Sequence, residues 1–72
     1  MKTDELVRMA NQIAAFFQAY PEEEAVDGVA EHIRQFWDPR MRAGLRAHLD
    51  AGGAGLDPLA RRGAAEALKT AA

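Results

Sequence analysis

The feature that most constrains this chain is an apolar stripe written twice, twenty residues apart. Leu6, Met9, Ala10, Ile13 and Phe16-Phe17 are matched position for position by Val26, Val29, Ala30, Ile33 and Phe36-Trp37. Both sets recur at the three- and four-residue spacing of a helix with one apolar face. Tyr20-Pro21 stands between them, and proline disfavours helical geometry in the residue before it while suiting a first turn. Two helices joined by so short a link fold back on each other, so the pattern predicts an antiparallel hairpin over about 4–20 and 22–37. In such a hairpin the aromatic pair ending each helix meets the aliphatic start of the other. Thr3 followed by Asp4 and Glu5 supplies a hydroxyl cap and acids for the positive end of the first helix, and Glu22, Glu23 and Glu24 do the same for the second. Two copies of a unit fall short of a solenoid.

Two Asp-Pro pairs mark the remaining starts. Asp38-Pro39 and Asp57-Pro58 each offer a capping carboxylate followed by a residue suited to the first helical position, which predicts shorter helices over about 39–51 and 58–69. Met41, Leu45 and Leu49 make a narrow ladder on the third. Between them runs Ala51-Gly52-Gly53-Ala54-Gly55, a glycine-rich connector over 51–56 with Gly52 placed to end the third helix. The fourth helix has Leu59 and Leu68 but otherwise Ala60, Ala64, Ala65 and Ala67 on its apolar positions. A short helix with little packing area is marginal in water, so the segment 57–72 is expected to fray or to be ordered by a partner. The whole chain, 1–72, reads as one all-α domain, since 72 residues leave no room for a second core. Sixteen of its residues are alanine, and the core is correspondingly thin.

Composition excludes much chemistry. There is no cysteine, which removes disulfides, thiolate metal sites, iron–sulfur ligation and thiol catalysis. There is no serine, and Thr3 and Thr70 lie near the chain ends, poor places for a rigid hydroxyl nucleophile. His32 and His48 titrate near neutral pH, yet no HExxH-like spacing joins either to a carboxylate; half-exposed histidines flanking a core explain them. Glu22, Glu23 and Glu24 point in three directions from one helix and read as a solvated helix start. The glycines follow no strand and form no phosphate-binding spacing. No apolar run reaches the length of a membrane span and no secretory leader pattern opens the chain, so a cytoplasmic protein is expected, with no membrane partner.

Charge is unevenly placed although the net is only −2. Residues 1–31 carry seven acids against Lys2 and Arg8, while 32–48 carry Arg34, Arg40, Arg42 and Arg46 against Asp38. The basic stretch is too short to bind nucleic acid on its own. Its placement is informative, because Arg40 and Arg42 fall in the first turn of a helix, where a cation opposes the dipole by about 0.3–1 kcal/mol each. A broken local rule is compensated elsewhere, and a partner carboxylate or carbonyl cluster would do so through the planar guanidinium fork. Phe36, Trp37 and Met41 stand beside them, and Trp, Arg and Met are enriched at protein interfaces. Phe36, Trp37, Arg40, Met41, Arg42 and Arg46 are therefore the predicted contact region, with His32 and Arg34 at its margin. The competing reading makes Phe36 and Trp37 hairpin core and leaves the arginines solvated. No catalytic, cofactor-binding or metal-binding residue is predicted.

Three strings carry a resemblance. Leu6-Val7-Arg8-Met9-Ala10-Asn11-Gln12-Ile13-Ala14-Ala15-Phe16-Phe17, His32-Ile33-Arg34-Gln35-Phe36-Trp37-Asp38-Pro39-Arg40-Met41-Arg42 and Gly55-Leu56-Asp57-Pro58-Leu59 are similar to the delta subunit family of bacterial NAD-dependent, molybdenum-containing formate dehydrogenases, over roughly Leu6 to Leu68. The resemblance implies a non-catalytic small subunit of a cytoplasmic complex that oxidises formate to CO₂ and reduces NAD⁺. It implies that the molybdenum bis-pterin guanine dinucleotide, the iron–sulfur clusters and the FMN sit in partner subunits, and that the large alpha subunit is the partner stabilised or assembled. Two alternatives remain at this stage: a chaperone for molybdenum-cofactor insertion that binds transiently, separable by its absence from the purified active enzyme, and a free-standing helical binding module.

Overall fold

The computed structural model describes residues 1–69. They form four helices, α1 (Thr3–Phe17), α2 (Glu22–Phe36), α3 (Pro39–Asp50) and α4 (Pro58–Ala67), with no strand among the described residues. The all-α class and the order of elements agree with the sequence reading. The ends show which local signals decided them. α1 is capped by Lys2, with Thr3 already helical, and the Glu5 carboxylate accepts the Lys2 N–H at 3.3 Å. It stops at Phe17, three residues before the expected Tyr20. There the Gln18 and Tyr20 N–H groups tighten onto the Ala15 and Phe17 carbonyls, at 3.4 and 3.0 Å, and turn the chain ahead of Pro21.

Asp38 caps α3 as its sequence context demands: its carboxylate accepts the Met41 N–H at 2.8 Å, with Pro39 first in the helix. At the other end Gly52 takes φ +115°, a left-handed value open to glycine, so that its N–H reaches the Leu49 carbonyl at 3.0 Å and the Gly53 N–H reaches that of His48 at 2.8 Å. These two bonds are a Schellman termination. The glycine-rich connector is a tethered loop, in which the Gly52, Gly53, Ala54 and Gly55 carbonyls each meet a side-chain nitrogen and Leu56 is buried.

Packing departs from the simple hairpin. The most extensive helix contact is between α2 and α4, and α4 also touches α1 and α3. Ala60, Gly63, Ala64 and Ala67 are buried along one face of α4, against a core built on Ile33, Leu45 and Val29, which are completely enclosed. Alanine and glycine contribute little transfer free energy of their own, but they let another backbone come close, and the neighbours then bury large side chains at about 1.5–3 kcal/mol each. At Gly63 there is no space for a Cβ, because the Val29 side chain occupies it. Gly28 lies under the Phe17 ring, and at Gly44 a Cβ would come within 2.8 Å of Leu6 Cδ1. Each glycine inside a helix thus marks a crossing: α1 with α2, α1 with α3, and α2 with α4.

Of the two aromatic pairs expected to meet the aliphatic helix starts, only one ring each goes to the interior. Phe17 and Trp37 turn inward, whereas Phe16 and Phe36 are each 70% exposed and Tyr20 is 49% exposed. The physical cause is α4, which takes the apolar face of α2 that a two-helix hairpin would have given to the aromatics. The segment 57–72, read from sequence as weakly packed, supplies this central helix; residues 70–72 of it lie outside the described residues.

Candidate functional site

The predicted contact region occupies the corner where α2 ends and α3 begins, and the structure divides it. Helical geometry is left at Trp37 (φ −90°, ψ 131°), whose N–H still bonds the Ile33 carbonyl at 3.0 Å. The indole goes into the core and is only 4% exposed. This corrects its place among the contact residues: Trp37 anchors the corner from inside. Phe36, one position earlier on the helix, points away from the core and stacks on His32, with ring centroids 4.8 Å apart and planes inclined by 40°. Met41 is half-buried and packs against the core.

The arginines divide in the same way. Arg34 donates from Nη2 to the Glu66 carbonyl at 2.8 Å and lies 3.7 and 3.8 Å from the Glu31 and Glu66 carboxylates. Arg46 donates to the Leu68 carbonyl. Two guanidinium groups, one from α2 and one from α3, therefore close the C-terminal end of α4, where carbonyls lack helical partners and the dipole favours a cation. As contact candidates Arg34 and Arg46 are displaced by this internal role. Arg40, exposed, and Arg42, half-buried, have no carboxylate within ion-pair distance and no hydrogen-bonded acceptor among the described residues. Arg42, Arg46, Leu68 and Lys69 line a shallow hollow of about 350 Å³ beside Pro39.

What remains on the surface of this corner is an exposed aromatic ring, a half-exposed thioether and two guanidinium groups at the positive end of a helix. The arrangement can hold carboxylates or carbonyls of another molecule and bury an aromatic anchor beside them. His48, the other histidine, is 2.7 Å from the Ala54 carbonyl through Nε2 and belongs to the loop. Among the described residues no three His, Asp or Glu side chains gather as a metal site, and no helix is long and apolar enough to cross a membrane.

Sequence reasoning missed two residues that hold the connector between α3 and α4 in place. Asn11 bridges α1 to the connector, donating from Nδ2 to the Gly55 carbonyl and accepting the Asp57 N–H on Oδ1, both at 2.9 Å. Arg61 donates to the Gly52 and Gly53 carbonyls at 2.8 and 3.0 Å. The signal for Asn11 was available: an amide beside an apolar stripe, within the Met9-to-Ile13 string that carries the resemblance. Arg61 gave none, because its acceptors are backbone atoms.

Residues 5–64 match a family model described as the NADH-dependent formate dehydrogenase delta subunit. No curated protein and no solved structure matches the chain significantly. With 5–64 covering most of its 72 residues, the chain belongs to the formate dehydrogenase delta subunit family.

Proposed function

We propose that this delta-family chain is a non-catalytic subunit that docks on the large, cofactor-bearing subunit of a cytoplasmic formate dehydrogenase and stabilises it, through the corner formed by Phe36, Arg40, Met41 and Arg42. One observation carries the reading. Arg34, Arg46, Arg61 and Arg62 each have an intramolecular acceptor, whereas Arg8, Arg40 and Arg42 have none among the described residues; of these three only Arg40 and Arg42 stand where a helix dipole disfavours them, next in the chain to an exposed Phe36. Docking against acidic or carbonyl groups removes that disadvantage and covers the ring. In this proposal the oxidation of formate and the reduction of NAD⁺ belong to the partner subunits, together with the molybdenum pterin, the iron–sulfur clusters and FMN. A chain without cysteine has no thiolate to hold an iron–sulfur cluster.

The test is co-expression with the large subunit followed by size-exclusion chromatography. The wild-type chain is expected to co-elute with the large subunit, and Arg40→Glu with Arg42→Glu to lower its retention about tenfold or more while leaving the helical content of the free chain unchanged. Wild-type retention of the double variant would refute this corner as the contact.

A further inference from the structure

The shallow hollow of about 350 Å³ between the first turns of α3 and the end of α4 has a charged lining of one sign. Arg42 and Arg46 come from α3 and Lys69 from just past α4, and no carboxylate stands among the lining residues. Pro39, Ala43 and Leu68 add apolar surface between the cations. The acids closest in the chain are engaged elsewhere. Asp38 caps α3 by accepting the Met41 N–H at 2.8 Å, and Glu66 is divided between Arg34 at 3.8 Å and Lys69 at 4.0 Å. Arg46 gives one N–H to the Leu68 carbonyl and keeps the other donors of its guanidinium group. Arg42 is half-buried and has no acceptor among the described residues. A cation drawn partly out of water loses hydration and receives nothing in exchange, and two like charges beside it add to the cost. The group that is missing is an anion.

We propose that this hollow seats a single carboxylate, the side chain of an aspartate or glutamate on the large subunit, held by Arg42 and Arg46 with Lys69 at the rim. The inference rests on the docking reading above: it narrows the partner chemistry from acidic or carbonyl groups to one ionised carboxylate, and it brings Lys69 into the contact. Three cations without a counter-charge select an ion over a carbonyl, which brings no charge. The planar fork of arginine takes both oxygens of a carboxylate at once. The apolar lining receives the methylene stem that carries such a group on a protein. At the small end of the range of ligand pockets, the hollow takes one side chain and no cofactor.

The experiment uses the complex formed by co-expression. Lys2 and Lys69 are the only lysines of this chain, so a carbodiimide, which joins an amine to a carboxylate with no spacer, reports directly on the rim of the hollow. Coupling in the co-eluting complex is expected to give an amide between Lys69 and an aspartate or glutamate of the large subunit, identified by mass spectrometry. Arg42→Gln is expected to cut the yield per recovered complex about fivefold. Replacing the captured acid by its amide is expected to weaken retention of the wild-type chain and to leave that of Arg42→Gln unchanged, because the two changes remove the same interaction. Coupling of Lys69 only to Glu66 of its own chain or to a second copy overturns the inference, as does a yield indifferent to Arg42→Gln. Co-elution without any Lys69 coupling overturns the carboxylate seat and leaves the docking reading standing, whereas a wild-type chain that does not co-elute overturns both.

Discussion

Helix α4 and the aromatic ends of α1 and α2 differ in a way that residue size does not anticipate. α4 presents Ala60, Gly63, Ala64 and Ala67 and lies at the centre of the packing, while Phe16 and Phe36, with far larger apolar surfaces, are 70% exposed. The two regions follow different rules. In α4 the stabilising quantity is the distance of approach: without side chains in the way, α2 and α1 come close enough for Val29 and Ile33 to be fully enclosed. At the aromatic ends the apolar surface stays outside. A stripe of alanines was the interior and half of each aromatic pair was the exterior.

That contrast can be broken at Gly63. Gly63→Leu puts a branched side chain where Val29 already sits and is expected to destabilise the domain by about 3 kcal/mol, a large part of the stability of any small domain. Urea unfolding followed by far-ultraviolet circular dichroism measures it, and a Gly63→Leu variant as stable as wild type would show that closeness to α2 is not what holds α4.

Removing the Asn11 bridge is the next largest effect. Asn11→Ala leaves the Gly55 carbonyl and the Asp57 N–H without their partner and is expected to cost about 1–2 kcal/mol. Limited proteolysis should cut the variant faster between Gly53 and Asp57 than elsewhere.

Arg34→Ala with Arg46→Ala tests whether α4 is held from its end as well as along its face. The expected loss is about 1 kcal/mol, since both side chains are partly solvated. Amide hydrogen exchange localises it: protection should fall in the last turn of α4 and stay constant in α2. Smallest of all, Phe16→Ala and Phe36→Ala should each change the melting free energy by less than about 0.5 kcal/mol, as exposed positions do. A larger loss at either would place that ring in the core and remove the contrast.

The elements that were legible in the sequence are those with local causes. Asp38-Pro39 and Asp57-Pro58 started α3 and α4, Gly52 ended α3, and the doubled stripe located α1 and α2. The position of α4 was not legible, because counting apolar area gives little weight to alanine and none to glycine, and the benefit of close approach appears on Val29 instead. The predicted contact residues separated for a similar reason. Arg40 and Arg42 break a local rule that can be seen in the sequence, and they remain outward. Arg34 and Arg46 are bonded to carbonyls 32 and 20-odd residues along the chain, respectively, and a backbone carbonyl leaves no mark in a sequence. Trp37 and Phe36 are adjacent, and the single step between them, from helical to extended geometry, sends one inward and the other out.

The Asn11 bridge joins the first helix to residues 44 and 46 positions later, and the helix that fills the middle of the domain, α4, is the last of the four described. Val29 on α2 owes its enclosure to Gly63 of that helix, so no shorter piece of the domain holds a closed interior: a variant cut before Pro58 is expected to leave Val29 open and to aggregate instead of folding as a smaller unit.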